Sequence, residues 1–146
     1  MINRKFVIEK IKLIIGALDH LNGFADMAFT EVAADYMKYS ALKNILMETI
    51  GRAIDINEHL IAEVAGEKTE MPKTYREGFS ILGKMGIIPP DFAKEIAKSA
   101  GFRNAIVHEY NNLDKSAVYR TVGQAIEQYK LYCDYVMKYI DENRGF

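Results

Sequence analysis

The stretch 114–142, DKSAVYRTVGQAIEQYKLYCDYVMKYIDE, carries Val118, Val122, Ala125, Ile126, Tyr129, Cys133, Val136, Met137 and Ile140 at steps of one, three and four. That spacing lines one face of a helix and suits neither a strand nor a loop. Asp114 stands where a carboxylate caps a first turn, so the pattern predicts a last helix from Asp114 to about Glu142. Working backwards, Asn111-Asn112 breaks the pattern, and Pro89-Pro90-Asp91 reads as a helix start, with proline in the first turn and an acid at the positive dipole end. This helix runs from Asp91 to about Ser99 or beyond, with Phe92, Ile96 and Ala100 turned inward and Gly101 loosening it before Arg103.

Earlier segments follow the same logic. A helix from Thr74 to Gly86 follows a polar surface loop over 67–72. A long helix, capped by Thr30 and stopped by Gly66, carries an apolar surface too broad for one face, which suggests burial both in a bundle and against a partner chain. A first helix from Arg4 ends at Asn22-Gly23. With no alternating pattern and no hairpin signal, the expected fold is all-α, an antiparallel bundle of four to five helices in a single domain over 1–146.

Composition supports that frame: 49% hydrophobic and 27% charged residues with three prolines exclude a disordered chain. A net charge of -1 gives no global attraction for nucleic acid, so any such binding must rest on a local patch. The single cysteine, Cys133, sits in a helical apolar pattern and reads as core or interface in a reducing compartment. No stretch reaches the ~20 apolar residues of a bilayer span, and the start lacks a signal-peptide pattern, so a cytoplasmic protein without a membrane partner is expected.

The chemistry concentrates in Arg103-Asn104-Ala105-Ile106-Val107-His108-Glu109-Tyr110. A guanidinium forks onto phosphate oxygens and stays charged, and an imidazole moves protons near neutral pH. Five residues separate Arg103 from His108, which at about 100° per residue turns them about 140° apart on a regular helix. Two arrangements remain open: the helix unwinds near His108, or the site is assembled from two copies across a two-fold axis.

The segment Phe102–Tyr110, with Tyr75-Arg76-Glu77-Gly78-Phe79 and Leu82-Gly83-Lys84-Met85-Gly86-Ile87-Ile88 before it, resembles the HEPN superfamily and within it the HepT-like toxins. The resemblance implies a homodimeric helical bundle, possibly a higher oligomer, that acts as the toxin of a type II toxin–antitoxin pair. It implies a metal-independent endoribonuclease without a cofactor, in which Arg103 and His108 of both copies line a cleft and Asn104 orients one of them. The substrate would be RNA, attacked through its own 2'-hydroxyl. The implied partner is a minimal nucleotidyltransferase antitoxin that attaches AMP to Tyr110.

Other constellations read more simply. Asp55, His59 and Glu63 share one face of the second helix, but no His-Glu-x-x-His or Glu-x-x-His occurs, so a solvated or intersubunit polar face is expected and no metal site. His20 reads as a cap near the end of the first helix, and Lys94, Lys98, Lys115 and Arg120 as surface cations that also suit an RNA backbone. The competing function is a non-catalytic dimer that binds a nucleotide or a protein in the same cleft, and a third is toxicity by occluding a target without cutting RNA.

Overall fold

The computed structural model describes residues 1–66, 71–108 and 113–143, and among them every regular element is helical. Helix α1 spans Arg4–Ala25, its first turn closed by the Asn3 side chain, which accepts from Phe6 N at 3.1 Å. Asn22-Gly23 does not end it. Phe24 is buried with Leu18 and Leu21, and that apolar contact carries the helix past the glycine.

The expected second helix is two. A short α2, Phe29–Ala34, buries Val32 and leaves Thr30 exposed within it. The chain then turns at Asp35, whose carboxylate accepts from Met37 N at 2.9 Å and Lys38 N at 3.1 Å and so caps α3, Tyr36–Leu60. A π-helical turn, Ile61–Ala65, leads to Gly66 at φ 69°.

Helix α3 is the axis of the fold, packed by α1, α2 and the three later helices that follow. Leu42, Leu46, Ile50, Ala53, Ile56 and Leu60 are buried by the rest of the same chain. Tyr36 and Met37 at its start stay exposed.

Helix α4, Tyr75–Lys84, starts on the Thr74 hydroxyl, which accepts from Glu77 N. Helix α5, Pro90–Ile96, crosses it closely. A Cβ on Gly83 would lie 2.7 Å from Ala93 Cβ, so this crossing requires a residue without a side chain.

The break before α6, Lys98–His108, falls at Ala97 and not at Gly101. Ser99 Oγ donates to Ile96 O and meets the Tyr129 hydroxyl, each at 2.6 Å, so the bend is pinned by a side chain thirty residues downstream. With these two breaks, at Asp35 and Ala97, the described residues form seven α-helices where four to five were expected.

Helix α7, Lys115–Glu142, is capped by Asp114 as the sequence predicts. Its buried stripe includes Val118, Val122, Tyr129, Tyr132, Val136 and Ile140. Cys133 lies in this core, where burial first and the neighbouring Asp134 second push its thiol up to about 12. Tyr132 donates to Asn57 Oδ1 at 2.6 Å, joining α7 to α3 through a buried polar pair.

Candidate active site

Helix α6 stays regular through His108, which settles its geometry. Ala100 and Ile106 are buried and point α6 into the core. Asn104 and His108, four residues apart, are both exposed and lie on one face of the helix. Arg103 is half-buried and leaves in a different direction. Unwinding near His108, one of the two arrangements left open by the sequence, does not occur up to His108 itself, and residues 109–112 lie outside the described residues.

Arg103 lies beside α3 and α4. A Cβ on Gly51 would come 3.7 Å from Arg103 Nε, and the guanidinium carbon sits 5.4 Å from the centroid of the Tyr75 ring. The Nε–H is buried without an acceptor, and no carboxylate lies within ion-pair distance of the guanidinium among the described residues.

In front of it is an open depression of about 360 Å³ lined by Lys10, Met47, Glu48, Gly51, Arg52, Asp55 and Arg103. Its other cations are paired: Lys10 with Asp55 at 2.9 Å, Arg52 with Glu48 at 3.4 Å. Among the described residues, Arg103 is the cation there without a carboxylate partner.

Tyr110 lies outside the described residues. In the Asp55, His59 and Glu63 ladder, Asp55 and Glu63 are exposed and His59 is half-buried, as a solvated polar face requires, and each has a partner on or next to α1. Asp55 binds Lys10, His59 Nε2 accepts from Asn3 N at 2.9 Å while its ring stacks on Phe6, and Glu63 pairs with the Met1 amino group at 2.7 Å. It is a polar seam tying α1 to α3. His20 is exposed before the end of α1 and caps nothing, the terminal position being Asp26. Lys98 pairs with Glu95, and Lys115 donates to Ala33 O.

Sequence reasoning missed Tyr75 and Gly51 as neighbours of Arg103. Tyr75 belongs to the stretch on which the HEPN resemblance rests, a signal that marks it without giving it a role.

The family model for HepT-like proteins, described as "Ribonuclease HepT-like", matches residues 14–136. This chain belongs to the HepT-like family. A tRNA nuclease HepT from Aphanizomenon flos-aquae is 33% identical over 135 residues, covering 92% of this chain and 90% of the relative. Solved structures share the all-α HEPN fold of this HepT-like chain. A crystal structure of a toxin–antitoxin with AMP-PNP superimposes at TM-score 0.82 with 19% identity, over 92% of this chain and 99% of that one. The tri-AMPylated Shewanella oneidensis HEPN toxin, in complex with MNT antitoxin, gives a TM-score of 0.79 with 21% identity, over 91% and 97% of the two chains.

Proposed function

We propose that this chain is a toxin endoribonuclease that works as a homodimer, with Arg103, Asn104 and His108 of both copies in one cleft. The carrying observation is the regular α6. In one chain, Arg103 turns toward α3 and α4 while His108 stands on another face, so a phosphate held by the guanidinium meets the imidazole of a second copy.

In the reaction, one His108 takes the proton of the RNA 2'-hydroxyl, the O2'–P bond forms and the P–O5' bond breaks. The imidazolium so formed then returns the proton to the leaving O5'. Arg103 binds the phosphate oxygens as negative charge grows on them, and Asn104, one turn before His108, orients the imidazole. An imidazole and a guanidinium supply both proton transfer and charge, so the proposed mechanism is metal-independent.

The antitoxin in this reading is a small nucleotidyltransferase that attaches AMP to Tyr110. A phosphate and a base added two residues after His108 would compete for Arg103 and block RNA. The family match and the solved toxin–antitoxin complexes that share this fold support the pairing.

The purified chain should cut RNA with chelator present, and His108→Ala should lower the rate by about a hundredfold or more. Undiminished cutting by a folded His108→Ala protein would remove the imidazole from the reaction. Tight nucleotide binding with no RNA cleavage would replace the nuclease reading with that of a binding dimer.

A further inference from the structure

The first turn of α4 is doubly fixed: Thr74 accepts from Glu77 N at 3.2 Å, and the Glu77 carboxylate accepts from Lys73 N at 2.8 Å. Tyr75 opens this turn, and its ring, still 40% exposed, lies against the guanidinium of Arg103. Among the described residues the Tyr75 hydroxyl makes no hydrogen bond, so the ring face is the part in use. On α3, a Cβ on Gly51 would make an ordinary contact with Nε at 3.7 Å, and the Nε–H has no acceptor among the described residues. Arg103 is therefore held by an aromatic face and by packing, without a directional bond to any described side chain.

That manner of holding has a chemical consequence. A carboxylate would fix an arginine equally well but would compete with phosphate for the same N–H groups. An aromatic face stabilises the cation and limits its swing while leaving the terminal N–H groups without a protein acceptor.

We propose that Tyr75 is a positioning residue for Arg103, aiming the guanidinium at the scissile phosphate through its ring and not its hydroxyl. This rests on the reading of Arg103 as the phosphate-binding group.

The test uses the purified full chain with Tyr75→Phe and Tyr75→Leu, each in the original and in an Arg103→Lys background. Tyr75→Phe should cut RNA near the original rate. Tyr75→Leu should lower kcat about ten- to a hundredfold with a small change in KM, the scale of a slightly misplaced group. In the Arg103→Lys background, the same leucine should add little.

A second readout does not need activity: the ¹⁵N-detected Nε–H resonance of Arg103 should shift in Tyr75→Leu and stay nearly in place in Tyr75→Phe. Equal damage by Phe and Leu, an equal leucine effect in both backgrounds, or an Arg103 resonance indifferent to Tyr75→Leu would overturn the proposal. Should the original chain cut no RNA, the nuclease reading fails, and the resonance alone decides whether Tyr75 places Arg103.

Discussion

If Arg103 of one copy works with His108 of the other, two inactive proteins should repair each other. Arg103→Ala and His108→Ala homodimers each lack one half of every site. In a mixed dimer, the Arg103→Ala chain still carries His108 and the His108→Ala chain still carries Arg103, so one of the two composite sites is whole. Free exchange of equal amounts makes about half of the dimers mixed, which predicts about a quarter of the original activity per dimer.

A site built within one chain gives the opposite result, because neither chain of the mixed dimer holds both groups. On α6 the two positions are separated by about 7.5 Å along the axis and about 140° around it. The assay mixes the variants, allows exchange through dilution or mild denaturant, and follows cleavage of a labelled RNA. Each variant alone should sit about a hundredfold or more below the original, so a recovery to a quarter is easily read. Mixtures no more active than their components, with exchange confirmed by native mass spectrometry, would refute the two-copy site.

Co-expression with a minimal nucleotidyltransferase should add mass in AMP steps, with the modified peptide containing Tyr110, and peptide mapping that places the mass elsewhere would reassign the regulated residue. Gly83→Ala should cost about 1–3 kcal/mol, because the new Cβ meets Ala93 Cβ at 2.7 Å where both backbones are fixed. Gly123→Ala, with nothing within 4 Å, should instead gain about 0.5–1 kcal/mol of helix propensity. Chemical denaturation of the two variants checks the contrast, and equal effects would mean that the α4–α5 contact is looser than described.

The last helix was legible in the sequence because its cap and its apolar stripe agree: Asp114 starts it, and the stripe stays in register to Ile140. The long helix starts later than the Thr30 cap implied. Thr30 and Asp35 both suit a cap, and the burial of Val32 together with the contacts of α2 on α3 and α7 gives the long helix to Asp35. The bend at Ala97 had no local signal, since alanine and serine do not break helices strongly and the pin is Tyr129 on α7.

At the candidate site, residue types were visible while directions were not. Arg103, Asn104 and His108 stand out as chemistry-bearing groups. That Arg103 turns onto Tyr75 depends on how α4 and α6 pack, which no window of sequence contains. Tyr110 lies beyond the described residues, so its expected role stays a proposal.

The solitary Nε–H of Arg103 has a consequence for how such genes decay. A donor stripped of solvent without an acceptor weakens the native state by about 1–3 kcal/mol, and an apolar side chain of similar length would relieve that burden. The arginine persists only while its use outweighs its strain. In a silent paralogue, drift would erase this position before it touched Leu42, Leu46 or Tyr132, leaving a sturdier protein with nothing to cut.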